Sequence, residues 1–293
     1  MVEMIQSTLK DPTQREQFNR DGFLIIDYFE KQEIAEMRDY FFEHVSNYHK
    51  EALYESSRNN SNETNDLING HLKTYFERHS DKFFENYKLY GGTYMVKPER
   101  SENFLPLHQD WSIVEEDKYE TLFLWCPLQD TSKTNGGLFV VPGSHHFFQN
   151  RRSGSLPAPR IETTTKNRRF TKNLEVKAGQ VVLYSDQLFH GSYPNSSQQP
   201  RIVATARVMN SEAKLTYYHK LSEEETAVYF FSKDNYLNGI LKLVSGDIPD
   251  GLQPAYIEQN NNQPITESSF DDKLPAQSSW TALLHRLNRL FKS

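Results

Sequence analysis

The chain has 293 residues, a net charge of −6, and charged and apolar fractions of 25% and 37%. These values are ordinary for a globular protein and allow one large domain or two small ones. The mildly acidic balance excludes the strongly basic surface typical of nucleic-acid-binding proteins. Cys126 is the only cysteine, which excludes an internal disulfide and a cluster of thiolate metal ligands.

The N-terminal residues lack the basic and apolar regions of a secretory signal. No apolar run in the chain approaches the length of a membrane-spanning helix. We therefore expect a soluble, cytoplasmic protein without a membrane span.

The first hundred or so positions mix helical and strand patterns. Residues 17–47 have the pattern of a helix, a short apolar strand and a second helix. Residues 56–65 are rich in Ser, Asn and Glu and are interpreted as a loop. A packed helix with several aromatic residues follows, and Gly91 and Gly92 are expected to break the chain before a strand at residues 93–97.

The centre of the chain has the turn signals and apolar runs of short β-strands. Residues 149–172 are basic and polar and are interpreted as a long binding loop or lid. We therefore predict a mainly β fold with flanking helices, a double-stranded β-helix (jelly roll, cupin-like) with an N-terminal helical cap. The candidate strands are residues 121–128, 138–141, 174–176, 180–184 and 201–208.

The strand pattern weakens after Lys220. Residues 258–277 are interpreted as a linker that follows a domain of residues 1–257, whose core lies at about residues 18–210. Residues 278–293 have an apolar stripe at helical spacing and a basic opposite face. This C-terminal amphipathic helix either packs on its own domain or a second copy, or binds a membrane or a partner groove.

Residues 107–111 contain the pattern with the clearest chemical meaning. In an extended segment, His108 and Asp110 point to one face and Gln109 points to the other. A second His from a distant strand would complete a two-His-one-carboxylate iron site with open coordination positions. His190, 80 residues beyond Asp110, is the candidate, and a hydrogen-bonded surface histidine is the alternative.

A candidate anion-binding residue, Arg201, lies 11 residues after His190. Its planar guanidinium suits bidentate capture of a carboxylate. The strand that it opens has one apolar face, formed by Ile202, Ala204, Ala206 and Val208. We therefore expect the Arg201 face to look into the mouth of the barrel. Arg207 lies on the same face and is the alternative.

The order and spacing of these motifs resemble the phytanoyl-CoA dioxygenase family of iron(II)/2-oxoglutarate-dependent oxygenases. The resemblance extends from about residue 18 to residue 210. It rests on Asp21, Gly22, Phe23, His108, Gln109, Asp110, Trp125, Asn135, Gly136, Gly137, Pro142, Gly143, Ser144, His145, His190, Gly191, Ser192 and Arg201.

The resemblance implies that His108, Asp110 and His190 bind iron(II) and are the catalytic residues. It further implies O2 as oxidant, ascorbate as reductant in vitro, and hydroxylation of an unactivated C–H bond of a small molecule, coupled to decarboxylation of 2-oxoglutarate to succinate. Halogenating relatives lack the carboxylate ligand, so Asp110 favours hydroxylation. Desaturation, epoxidation and cyclisation use the same cofactors and stay open. So do a non-catalytic jelly-roll binding protein and a cupin-like metal protein that uses no 2-oxoglutarate.

For the co-substrate, the resemblance implies that the distal carboxylate of 2-oxoglutarate pairs with Arg201, with help from Ser192. Trp125 matches an aromatic position near the co-substrate, and Lys97 lies where the family often has a basic residue. We therefore expect Arg201, Ser192, Trp125 and Lys97 to form the co-substrate site.

For the substrate, we expect a small molecule, which Trp111 and the basic loop would face. The loop would suit an anionic substrate, such as an acyl thioester or a carboxylate, or one that is amino-acid-like, and a solvated basic loop is the alternative. The oligomeric state is left open. The loop arginines are Arg151, Arg152, Arg160, Arg168 and Arg169.

Overall fold

The computed structural model describes residues 7–45, 47–50, 52–157, 160–161, 167–232, 242–266, 268–269 and 273. The longer helices lie among the first 83 residues, and short antiparallel strands dominate the rest of the described chain. The helices are α1 (Pro12–Asp21), α2 (Lys31–His44), α3 (Ser56–Asn59) and α4 (Asn62–Phe83). The strands are β1 (Phe23–Asp27), β2 (Tyr54–Glu55), β3 (Tyr87–Lys97), β4 (Leu105–His108), β5 (Thr121–Pro127), β6 (Leu138–Val140), β7 (Lys172–Asn173), β8 (Gln180–Tyr184), β9 (His190–Ser192), β10 (Arg201–Asn210), β11 (Leu215–Lys220), β12 (Glu225–Phe231) and β13 (Tyr256–Gln259).

Two antiparallel sheets form the body of the fold. The larger has the order β1-β8-β5-β10-β3-β2 and the smaller has the order β4-β9-β6-β7. Apolar residues of both sheets pack in one cluster, with Phe123, Trp125 and Val203 from the larger sheet and Leu138 and Val140 from the smaller. Burial between two sheets is the arrangement of a jelly roll. The predicted fold class is therefore confirmed.

Helices cover the other face of the larger sheet. Phe41 of α2 and Phe76 of α4 pack in one cluster with Ile202 and Ala204 of β10. Val203, between these two β10 residues, belongs instead to the cluster between the sheets. The alternation predicted for this strand and the N-terminal helical cap are thus both present.

The segment expected to be a loop at residues 56–65 is helical. It contains α3 and the first turn of α4. Ser61 caps α4 by accepting a hydrogen bond from the Thr64 N–H, and Glu63 lies in the first turn, where a negative charge favours a helix N-terminus. The loop prediction was wrong because short polar residues favour helix caps as well as loops.

Gly91 and Gly92 lie inside β3 rather than before a strand. The register between β3 and β10 shifts between Ala204 and Ala206, which marks an irregularity at this point of the sheet. A Cβ atom at Gly92 would lie 1.6 Å from the carbonyl oxygen of Thr205, a contact with backbone that a small side-chain movement does not relieve. The glycines thus allow close approach of two strands and do not end one.

We expect Gly92→Ala to lower the free energy of unfolding by at least about 3 kcal/mol, because the added methyl group overlaps a buried backbone. Gly70→Ala in α4 is the matched control, since its Cβ would meet nothing within 4 Å. That change should raise the free energy of unfolding by about 0.5–1 kcal/mol through helix propensity. Urea unfolding of both variants measures the difference, and equal stabilities would contradict the close approach.

A third antiparallel sheet, β11-β12-β13, extends into the region after Lys220 where the sequence pattern weakens. Glu258 and Gln259, expected to begin the linker, pair with β12, and Asn262 donates a hydrogen bond to the Arg151 carbonyl (2.7 Å). The linker therefore does not begin at residue 258, because pairing with β12 makes this short polar segment a strand. The helix expected at residues 278–293 lies outside the described residues. None of the described helices combines the length and apolarity needed to cross a membrane.

Candidate metal centre and cavity

The structure brings the predicted metal ligands together through pairing of β4 with β9, which places His108 directly opposite His190. Asp110 follows β4 and donates its N–H to the Asp186 carbonyl (3.0 Å). The Nε2 atom of each His lies 3.8 Å from Oδ1 of Asp110, and the three potential ligand atoms all lie within 4.8 Å of one another. Gln109 points away and is buried, as the alternation predicts. The three side chains could hold one metal ion.

Hydrogen bonds fix which nitrogen each histidine offers. Nδ1 of His108 donates to the Pro106 carbonyl and Nδ1 of His190 donates to the Leu188 carbonyl, both at 2.9 Å. Because a carbonyl only accepts, Nδ1 of each ring carries a proton, and Nε2 is the nitrogen that each histidine presents to Asp110. Burial, together with the neighbouring His190, lowers the pKa of His108 to about 4. His108 is therefore a neutral imidazole, the form that binds metals.

The two oxygens of Asp110 have different surroundings. Oδ1 faces both histidines, whereas Oδ2 accepts a hydrogen bond from the Tyr184 hydroxyl (3.3 Å) and lies 3.5 Å from a guanidinium nitrogen of Arg207. Burial opposes ionisation of Asp110, but His190 and Arg207 outweigh it and keep the pKa of this carboxyl below its usual range. Asp110 is thus an anion that offers one oxygen to a metal while the protein holds the other.

A buried acid that the sequence did not single out completes this arrangement. Arg207 pairs with Asp186, which is fully buried and accepts a hydrogen bond from the Thr121 hydroxyl (2.7 Å). Arg207, the alternative to Arg201 as the anion-binding residue, therefore supports the carboxylate of Asp110. An acidic residue two positions after an apolar strand and four positions before a candidate ligand is the signal that could have identified Asp186.

The three side chains open into a cavity of about 570 Å³, and Arg201 and Ser192 line it. Arg201 is 2% exposed, and no described residue accepts a hydrogen bond from its side chain or forms an ion pair with it. Its guanidinium carbon lies 5.7 Å from the ring centre of Trp125, which also lines the cavity. Burial lowers the pKa of Arg201 to about 9, so it is still a cation at neutral pH. A buried cation without an anion suits a cavity that receives a carboxylate.

Two glycine-containing motifs, at residues 135–137 and 142–145, lie against Arg201 and the segment before His190. Gly136 has φ +81°, a conformation that glycine favours, and a Cβ there would lie 3.3 Å from Nε of Arg201. Ser144 accepts a hydrogen bond from the Phe189 N–H (2.9 Å), directly before His190. The first motif therefore lets a turn approach Arg201, and the second fixes the start of β9.

Lys97, expected to form part of the co-substrate site, does not line the cavity. It is fully buried outside the lining of the cavity, and its ammonium donates to the carbonyls of Asn103 (2.8 Å), Ser192 (3.1 Å) and Tyr193 (2.6 Å). All three donors of an ammonium group are used in these contacts. Lys97 therefore holds the backbone at the end of β9 and does not reach into the cavity.

The residues expected near the substrate divide into two groups. Trp111 and Arg160 line the cavity, and the other four loop arginines do not. Arg152 is fully buried, pairs with Glu116 and donates from Nε to the Asp110 carbonyl (2.6 Å). The loop is thus not a continuous basic face toward the cavity, because most of its charge is used elsewhere. Arg151 pairs with Asp117 and Glu258, and Arg168 and Arg169 lie in a short 3-10 turn, Asn167–Phe170.

Comparisons with known proteins agree with the fold and the motifs. Two solved structures each have a TM-score of 0.50. One is the apo form of ThoJ, a non-heme monooxygenase, with 13% identity and coverage of 94% of this chain and 98% of ThoJ. The other is the epimerase SnoN in complex with Fe3+, alpha ketoglutarate and nogalamycin RO, with 18% identity and coverage of 70% of this chain and 87% of SnoN. At such identities the likeness shows the fold alone.

The sequence comparisons are more specific. Phytanoyl-CoA dioxygenase 1 of Oryza sativa subsp. japonica is 32% identical over 111 residues, which are 36% of this chain and 38% of the rice protein. The match thus spans well under half the length of that relative. The model of the phytanoyl-CoA dioxygenase (PhyH) family matches residues 18–203, which is more than half of the chain. The chain therefore belongs to the phytanoyl-CoA dioxygenase family.

Proposed function

We propose that this protein is an iron(II)/2-oxoglutarate-dependent dioxygenase that hydroxylates an unactivated C–H bond of a small molecule and converts 2-oxoglutarate to succinate. One observation carries the proposal. The same cavity contains a two-His-one-carboxylate set and, in Arg201, a buried cation without an anion. The family match supports the reaction type.

The donor set fits iron(II). His108 and His190 each offer an Nε2 nitrogen, and Asp110 offers one carboxylate oxygen. Two imidazoles and a carboxylate form the facial set that leaves coordination positions open for a co-substrate and O2. A cupin-like protein that uses no 2-oxoglutarate would not need Arg201, so this residue favours the dioxygenase.

When bound, iron(II) supplies the chemistry, which couples reduction of O2 to decarboxylation of 2-oxoglutarate and oxidation of the substrate. The side chains of the protein bind and orient the reactants. Arg201 pairs with the distal carboxylate of 2-oxoglutarate, and Ser192 and Trp125 lie beside it in the lining of the cavity. Trp111 and Phe123 contribute apolar surface that excludes water.

The test is succinate release by purified protein with iron(II), ascorbate, 2-oxoglutarate and O2. We expect slow release without substrate, and its loss in His190→Ala. Product mass with a stimulating substrate then distinguishes hydroxylation, which adds one oxygen atom, from desaturation, which removes two hydrogen atoms. The absence of both succinate and 2-oxoglutarate binding, measured anaerobically by calorimetry with manganese(II), would contradict the proposal and favour a non-catalytic binding protein.

A further inference from the structure

Most of the charged groups that line the cavity are compensated inside the protein. Arg58 pairs with Glu55 (3.1 Å), and Arg207 pairs with Asp186. With cofactors bound, the two positive charges of iron(II) and the charge of Arg201 would balance Asp110 and the two carboxylates of 2-oxoglutarate. Among the described residues, two lining groups of opposite sign then stay without a partner. They are Asp66 and Arg160.

Asp66 belongs to a polar stripe at the start of α4 that lines the cavity. The stripe consists of Asn62, Asn65, Asp66 and Asn69, spaced so that they share one face of the helix. Asp66 has no hydrogen bond or ion pair with any described side chain. Asn65 donates from Nδ2 to the Ser57 carbonyl (3.1 Å), and its Oδ1 is buried without a partner. This wall therefore presents acceptors and a negative charge, which suit an ammonium group.

Arg160 provides the opposite charge beside the metal ligands. Its neighbour Ile161 donates its N–H to the Leu107 carbonyl (2.8 Å), which holds this segment against the strand that carries His108. Within the described part of the chain, Arg160 has no ion pair. A guanidinium in this position suits a carboxylate.

We propose that the substrate is a zwitterion whose ammonium group pairs with Asp66 and whose carboxylate pairs with Arg160. The inference rests on the proposed function and names the substrate class of the same cavity. A bound ligand covers both residues and removes water from them, which is costly unless each charge gains a partner. A hydrocarbon chain would cover Asp66 and Asn65 without compensating either group.

Matched probes test the proposal on protein loaded with manganese(II) and 2-oxoglutarate under anaerobic conditions. The zwitterions are 4-aminobutanoate, 6-aminohexanoate and 8-aminooctanoate, and each is compared with the carboxylate and the amine of the same chain length. We expect at least one zwitterion to bind about tenfold more tightly in calorimetry than either singly charged analogue. Equal affinities within every set of three, or no binding of any zwitterion at millimolar concentration, would overturn the proposal.

Two variants then test whether Asp66 and Arg160 bind the charged groups of the zwitterion. Asp66→Asn and Arg160→Gln should each weaken binding of the preferred zwitterion about tenfold, down to the affinity of one singly charged analogue. Glu63→Gln, on the same helix but outside the cavity lining, and Arg168→Gln, in the same loop, are the matched controls and should bind like the wild type. Unchanged affinity in Asp66→Asn or Arg160→Gln would overturn the assignment. Binding of 2-oxoglutarate to the wild type, measured first, checks the proposed function separately.

Discussion

Asp110→Ala is expected to abolish iron-dependent succinate release and to weaken metal binding by more than about 100-fold, since loss of a supporting contact to a ligand alone costs about 10–100-fold. Asp110 is the only carboxylate of the candidate ligand set, and its second oxygen lies 3.5 Å from Arg207. Its removal leaves the two imidazoles without a carboxylate beside them. The effect on the metal is thus larger than the loss of a supporting contact, because the only carboxylate among the three candidate ligands is removed.

The measurement is manganese(II) affinity by calorimetry, together with succinate release and circular dichroism to check the fold. Asp117→Ala provides a matched control, because it removes a carboxylate seven residues away that is 60% exposed and pairs with Arg151. This control should bind metal like the wild type. Full metal affinity in Asp110→Ala would show that the three side chains do not form the metal site.

The sequence predicts the positions of the candidate metal ligands and of Arg201 well because local geometry controls both. One residue separates His108 from Asp110, so an extended chain places both side chains on one face. Arg201 opens a long strand whose alternation is unambiguous, and this alternation directs it into the cavity. The positions of these residues therefore depend on the period of a β-strand and on the pairing of two strands.

Other parts of the site depend on contacts that the local pattern does not encode. Asp186 becomes part of the site because its carbonyl accepts from Asp110 and its carboxylate meets Arg207, 21 positions along the chain. Lys97 has a basic side chain at the expected place, but three backbone carbonyls from two other segments determine what it contacts. Residues 56–65 have a composition that suits a loop, a helix cap or a cavity wall. Their helices, α3 and the start of α4, form where the segment packs against β3.

Arg201→Met is expected to raise the KM for 2-oxoglutarate by about 100-fold, because removing one partner of a buried charge pair costs about 2–5 kcal/mol. Methionine has a flexible side chain of similar length, so the change removes the charge with little change in packing. In the protein without co-substrate, Arg201 is buried and forms no ion pair with any described residue. We therefore expect the free energy of unfolding to stay the same or rise in Arg201→Met, which separates this effect from a general loss of structure.

The most specific measurement compares 2-oxoglutarate with 2-oxopentanoate, which has the same carbon chain and lacks the distal carboxylate. The wild type should bind 2-oxoglutarate about 100-fold more tightly than 2-oxopentanoate. Arg201→Met should bind the two compounds about equally, since no cation then pairs with the distal carboxylate. Arg168→Met removes an exposed arginine outside the cavity lining and should keep the wild-type preference. A preference that survives in Arg201→Met would mean that another cation binds the distal carboxylate. Arg160 would then be the first residue to test, because it is the other cation in the lining that has no described partner.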